Sequence, residues 1–335
     1  MPHTRRSGGW TRREFLAALP ASVLVAACRR RPYAQSDFKV PARSAVGLFS
    51  APSYDVDLAD VVGRGIRELQ FDVKGRSILL KPNLVEYAVD HAINTHPLLV
   101  AGAATAFLHA GAREVVVGEG PGHRRDIEYL LASTGLGDHL RESKLRFVDL
   151  NHDDVRVVRL RSQFTGFGDL ALPAEVLKAD LVVSMPKLKT HHWTAMTASM
   201  KNLFGVVPGA VYGWPKNPLH FHGIENSILD LMATVRPAFT IVDAIVAMEG
   251  DGPIMGQPRR MGFVAMGTDL VAVDATCARV IGLDPRKIGY LDSVSDFLGN
   301  LDARRIDQRG EPTARYATRF EVLDAFKGLR LEGGG

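Results

Sequence analysis

Residues 184 to 205, SMPKLKTHHWTAMTASMKNLFG, set Lys187, Lys189, His191, His192 and Lys201 among apolar side chains, with no acidic residue in the run. Positive charge at this density suits a nucleic-acid groove, a membrane-facing patch or a pocket for a small anion. Pro186 cannot donate to a sheet ladder, so a strand is expected to end there and a loop to follow. If the chain stays extended, Lys187 and Lys189 point to the same side. Joined by His191 and by Lys201 and Asn202 on the next helix, they would hold a carboxylate or phosphate. Each lysine taken alone reads better as part of a solvated loop; it is the set, flanked by Trp193, Met196, Met200 and Phe204, that favours the anion pocket.

Acidic residues recur elsewhere. In DAIVAMEGDGP, residues 243 to 253, Glu249 and Asp251 stand one glycine apart just after an expected strand. Carboxylates at that spacing could ligate a divalent metal, pair with the lysines or supply a general base; a plain turn is the simpler alternative. The segment GTDLVAVDATCARVIGLDP, residues 267 to 285, reads as a helix capped by Thr268 or Asp269 and ended by Gly282. It is apolar nearly all round, so Asp274 should be buried and need a partner, expected to be one of the lysines. A salt bridge that only fixes the helix is the competing expectation. His220 and His222 could chelate a transition metal if extended, or lie in an exposed loop. GEGPG, residues 118 to 122, matches no dinucleotide or Walker pattern and serves to place Glu119. No Gly-x-Ser-x-Gly occurs, so an α/β-hydrolase triad has no support.

These groups need a scaffold. AVGLFS, SILLKPN, EVVVGEG, LRFVDL, ADLVVSMPK, FTIVDAI and MGFVAMG read as strands, and LADVVGRGIRELQF, PLLVAGAATAFLHAG, RDIEYLLASTG and GIENSILDLMATV as helices. Apolar strands alternating with helices predict an α/β fold with a mostly parallel sheet covered by helices on both faces, as one domain or two lobes. An antiparallel excursion is expected between Leu150 and Pro173. Ligands of such sheets lie beyond the carboxyl ends of the strands. Lys81 and Asn83 follow SILL, Glu119 follows EVVVG, Lys187 follows DLVVSMP and Asp243 ends FTIV, so several strands aim charge at one rim.

The first segment, WTRREFLAALPASVLVAAC, has a twin-arginine pattern at Arg12 and Arg13 and a short apolar run, as in an export signal. Val25-Ala26-Ala27-Cys28 resembles a lipobox, with Cys28 the residue to be lipidated; ordinary cleavage or an uncleaved anchor are the alternatives. The expected organisation is a signal over 1–31, a linker over 32–43 and the α/β domain over 44–330. The signal carries +6 against +4 for the whole chain, which leaves −2 for residues 32–335 and removes the support for nucleic-acid binding. Past the signal there is one cysteine, Cys277, so this chain cannot ligate an iron–sulfur cluster by itself.

KPNLV at 81–85, MPKLKTH at 185–191, MKNLFGVVPG at 200–209, VDAIVAMEGDGP at 242–253 and the 267–285 segment resemble, in order, the bacterial and archaeal family called domain of unknown function 362. The resemblance implies an α/β domain with a polar centre, which maps onto Lys81, Asn83, Lys187, Lys189, His191, Lys201, Asn202, Asp243, Glu249, Asp269 and Asp274. Many members also carry a ferredoxin-like, cysteine-bearing segment; the RLEGGG end here has no cysteine, which puts an inherited electron-transfer role in doubt. The leading expectation is an exported enzyme, periplasmic or lipid-anchored, acting on a small anion. Lys187, Lys189, His191, Lys201, Glu249 and Asp274 would do the chemistry, and Lys81, Asn83, Glu119, Asn202, Asp243 and Asp269 would hold the substrate. The rivals are a non-catalytic binding lipoprotein and an accessory to a periplasmic redox partner.

Overall fold

The computed structural model describes residues 31–122, 126–295 and 297–332. Arg12, Arg13 and Cys28 lie outside the described residues. The strands are β1 (Ser44–Ser50), β2 (Ser77–Pro82), β3 (Glu114–Glu119), β4 (Arg146–Asp149), β5 (Val155–Arg159), β6 (Asp169–Pro173), β7 (Leu181–Met185), β8 (Lys187–His191), β9 (Ala195–Thr197), β10 (Phe239–Glu249), β11 (Gln257–Gly267) and β12 (Ile306–Gly310). One sheet runs in the order β12-β1-β11-β10-β7-β2-β3-β4, with β8 and β9 attached beside β10. Its pairings are parallel except those made by β11 and the short β8–β9 hairpin. The protein is therefore an α/β fold with a mostly parallel sheet.

Strand composition explains why both faces are covered. In β2, Ile78 and Leu80 belong to one apolar core and Leu79 to the other; in β10, Phe239 and Ile241 face one and Val242 and Ala244 the other. Successive side chains point to opposite faces, so an all-apolar strand needs a layer on each side. On one side lie helices Leu58–Glu68, with apolar residues Leu58, Val61, Val62 and Ile66 buried, and Pro97–His109. Gly102 packs where a Cβ would meet Leu58, so the two helices come close together. Helices Ile224–Val235 and Leu270–Val280 cover the other side. The antiparallel excursion is the two-stranded ribbon β5–β6.

The chain departs from its sequence-based expectation at Pro186. No loop follows; β8 continues the line of β7 as a second strand along β10. Pro186 lacks an amide, but its carbonyl accepts from Asp243 N at 2.8 Å, so β10 stays attached across the break. Asp243 accordingly lies within β10, which runs on to Glu249, and not at a strand end.

Asp274 has a different role from the one its burial suggested. It meets no lysine: its two oxygens accept from the amides of Ser199 at 2.8 Å and Met200 at 3.0 Å. These amides open the 3-10 segment Lys201–Val206, so a helix on one face of the sheet fixes where Lys201 and Asn202 begin. Asp269 is the N-cap of the same helix, accepting from Ala272 N at 3.0 Å and from Ser44 Oγ at 2.6 Å. Burial raises the Asp274 carboxyl from its ordinary 3.8 to about 7. Asp274→Ala should destabilise the fold, since each buried amide left without an acceptor costs about 1–3 kcal/mol. The folded state binds the Asp274 proton more tightly than the unfolded chain, so stability from this group is fullest near pH 4 and declines toward pH 7. Urea denaturation across that range should show the gap between wild type and variant narrowing as the pH rises. A gap that widens would contradict the assignment.

Candidate functional site

At the carboxyl end of β2, Lys81 Nζ donates to Glu119 Oε2 at 2.7 Å across to the end of β3. Each side chain is about 1% exposed. The same ammonium reaches Asn202 Oδ1 at 3.1 Å and the Pro82 carbonyl at 3.2 Å. Glu119 is fully used: Oε1 accepts from Gly120 N at 2.8 Å and Oε2 from Leu84 N at 3.3 Å. Asn202 donates back to the Lys81 carbonyl at 3.0 Å and to Ser184 Oγ at 3.1 Å. Gly205 closes over this pair, where any Cβ would overlap the Glu119 carboxylate and the Lys81 ammonium.

Above the pair opens a cavity of about 470 Å³. Lys81, Asn83, Glu119, Lys189, His191, Lys201, Asn202 and Asp251 line it, and so do His192, Trp193, Thr197, Phe204, Lys216 and His220. Lys189, fully buried, donates only to carbonyls, Ile93 at 2.8 Å and Pro253 at 3.4 Å. Lys216, 1% exposed, does the same to Gly120 at 2.7 Å and Phe204 at 2.9 Å. Lys201 has neither hydrogen-bond nor ion-pair partner among the described residues; its ammonium lies 5.6 Å from the centre of the Phe204 ring.

None of these three lysines has a carboxylate, and taking an ammonium out of water disfavours its charged form. Burial lowers Lys201 to about 8, helped by the charge of Lys81, and Lys216 to about 7. It lowers Lys189 well below the lysine range, helped by Lys201 and Lys187. His191 Nδ1 accepts from Trp193 N at 3.0 Å and Thr194 N at 3.4 Å, which leaves the ring proton on Nε2. Burial and the neighbouring cations, Lys201 first, hold this ring neutral. Asn83 Oδ1 and Thr197 Oγ1, on the same cavity, are buried polar atoms without a partner. The cavity thus offers three lysine amines whose protonation burial disfavours, a neutral imidazole and two unused polar groups.

The remaining expected residues are elsewhere. Lys187 does not share the cavity with Lys189: its ammonium binds Asp243 Oδ2 at 2.6 Å and Tyr54 Oη at 2.8 Å. Tyr54, itself bonded to Asp243 Oδ1 at 2.9 Å, stacks on His96 and lines a second cleft of about 340 Å³ with Lys187 and His96. Both lysines border the segment over residues 83–97, which comes between them: Lys189 donates to its Ile93 carbonyl, and Lys187 lies with Tyr87 and His96 on the second cleft. Residues 83–97 separate the two spaces: Asn83, Leu84 and Val85 line the first, and Tyr87 to His96 border the second. Asn83 and Thr95 close this segment with bonds of 2.9 and 3.0 Å.

Glu249 turns from the cavity to Arg259 at 3.4 Å and the Glu321 amide at 3.1 Å, whereas Asp251 faces His192 at 3.3 Å. The two carboxylates therefore do not converge on one ion. Among the described residues no group of three or more His, Cys, Asp or Glu side chains could hold a metal ion. His220 and His222 also part: His222 bonds the Thr165 carbonyl at 2.9 Å, and only His220 reaches the cavity. Lys216 escaped the sequence reading altogether. Its one signal is that residues 213–223 hold a lysine and two histidines but no acid.

The closure over the ion pair can be tested directly. Gly205→Ala should cost about 1–3 kcal/mol by forcing Lys81 and Glu119 apart. Gly122→Ala should be near neutral, since nothing lies within 4 Å of the Cβ it would add. Denaturant melts of both variants measure the contrast, and equal stabilities would count against the packing described.

A thylakoid-associated protein of Synechocystis (sll1697) is 31% identical over 223 residues, 64% of this chain and 65% of that protein. The chain thus spans just under two thirds of this relative's length. Among solved structures, the lactate racemase apoprotein of Thermoanaerobacterium thermosaccharolyticum aligns with a TM-score of 0.43 at 16% identity, over 73% of this chain and 59% of the other. A Thermotoga maritima protein from structural genomics aligns with a TM-score of 0.33 at 13% identity, over 63% and 56%. Over residues 78–279, more than half its length and the part that holds all four cavity lysines, the chain matches the domain of unknown function DUF362 and belongs to that family.

Proposed function

We propose that the protein is an exported enzyme that holds a small anionic substrate between Lys189, Lys201 and Lys216 and moves a proton on it. The observation that carries this reading is the set of three lysines on one cavity, none with a carboxylate partner. A desolvated amine without a counter-charge loses its proton readily, and a bound carboxylate or phosphate would supply the charge that lets these three hold theirs. Lys201, whose amine is unengaged, is the group to exchange a proton near neutral pH. His191, neutral with its proton on Nε2, donates to the substrate. Lys81 and Glu119 hold the floor in place, and Asp274 positions Lys201 through the Ser199 and Met200 amides. The twin-arginine pattern and apolar run support export, and Cys28 is the residue that would carry a lipid anchor.

Calorimetric titration with inorganic phosphate tests the reading. Lys201→Met should weaken binding at least tenfold, about 1.4 kcal/mol. Its melting temperature below pH 8 should equal or exceed that of the wild type, because an unpaired, half-buried cation is removed. Lys201 and Lys216 are depressed to about 8 and about 7, so the unfolded chain holds their protons to higher pH than the folded one. Without ligand, stability should therefore rise from about pH 7 to pH 10, while phosphate affinity falls over the same range. A Lys201→Met variant that binds phosphate as before would remove the assignment. An anion bound tightly but recovered unchanged after long incubation would make the protein a binding protein instead.

A further inference from the structure

The cavity is larger than an anionic group alone requires. At about 470 Å³ it lies within the range that holds drug-sized ligands, whereas the three lysines account only for a headgroup. Its lysines and its exposed apolar groups lie at different depths, with the Asp251 carboxylate also toward the outside. Lys189 and Lys216 are buried at the base, while Trp193 and Met255, on the same cavity, are 60% and 67% exposed. The anion therefore sits inside and the rest of the ligand extends past Trp193.

The outer wall is aromatic and already ordered. Trp193 meets His220 edge-to-face with ring centres 5.6 Å apart and His192 at 4.7 Å. Phe204 meets His220 at 5.8 Å. The Trp193 backbone is pinned as well, since its amide donates to His191 Nδ1 at 3.0 Å. An indole held at a cavity mouth offers a flat apolar face to a ligand in that cavity. Edge-to-face neighbours brace it from the side, an arrangement suited to a planar partner laid against it.

We infer that the substrate is an anion joined to an aromatic ring, with its phosphate or carboxylate between Lys189, Lys201 and Lys216 and its ring against Trp193. This rests on the anion-site reading above and adds the class of the substrate's body. Ring stacking and burial at Trp193 would supply affinity that an inorganic anion cannot gain.

The test uses the full-length protein and four probes at constant ionic strength: inorganic phosphate, butyl phosphate, phenyl phosphate and 1-naphthyl phosphate. Phenyl and naphthyl phosphate should bind at least tenfold more tightly than inorganic phosphate and at least threefold more tightly than butyl phosphate. Trp193→Ala should reduce the naphthyl-to-phosphate affinity ratio to below about threefold, and Trp193→Phe should restore most of it. Equal affinity for inorganic and aryl phosphates overturns the inference and leaves the anion site intact. So does a butyl gain matching the phenyl gain, which would mean an apolar but not aromatic body. Failure of every probe to bind overturns the anion site and this inference with it.

Discussion

The buried pair of Lys81 and Glu119 is the interaction on which the site depends. It ties the carboxyl ends of two neighbouring parallel strands, and through Asn202 it also tethers the 3-10 segment that follows β9. Because Glu119 already accepts from one ammonium and two amides, it has little left to offer the other cavity lysines. A buried ion pair is a weak source of net stability, as desolvation offsets much of the attraction. What it provides here is placement, and it keeps the buried carboxylate on the cavity from other duties. The excess of positive charge in the cavity follows from that exclusion.

A second layer acts at longer range. Asp274, in the helix packed beside them, accepts the Ser199 and Met200 amides and so sets the start of the segment bearing Lys201. Asp269, five residues earlier, fixes the helix itself by capping it. The cavity thus borrows its precision from a helix packed in the same core layer as the segment bearing Lys201, and no residue of that helix needs to touch a ligand.

Much of this was legible in the sequence, for identifiable reasons. Apolar runs of β-branched residues end at Lys81 and Glu119, so the rule that ligands lie beyond parallel strand ends found both. Lys189, His191 and Lys201 were found because their charge stands in a run without acids. The failures share one cause, since sequence shows that a group is buried but not what it faces. Asp274 is expected to meet lysines and meets amides; Glu249, open to a metal, a lysine, a base role or a plain turn, meets Arg259 and the Glu321 amide. Lys187 and Lys189 stand two apart on one strand, but a segment distant in sequence, residues 83–97, comes between them and gives each a separate space. Lys216 comes from a loop with no periodicity, and only the folding of that loop over Gly120 and Phe204 brings it to the lysines.

The segment from Asn83 to Pro97 has two sides, one bordering the lysine cavity and the other the cleft of Tyr54 and His96. It is a partition in the sense that a wall between two rooms is one. Its ends are held together by Asn83 and Thr95, and its middle is held by Lys189 through the Ile93 carbonyl. Space gained on one side by moving this wall is space lost on the other, so the two hollows are tied by simple conservation of volume.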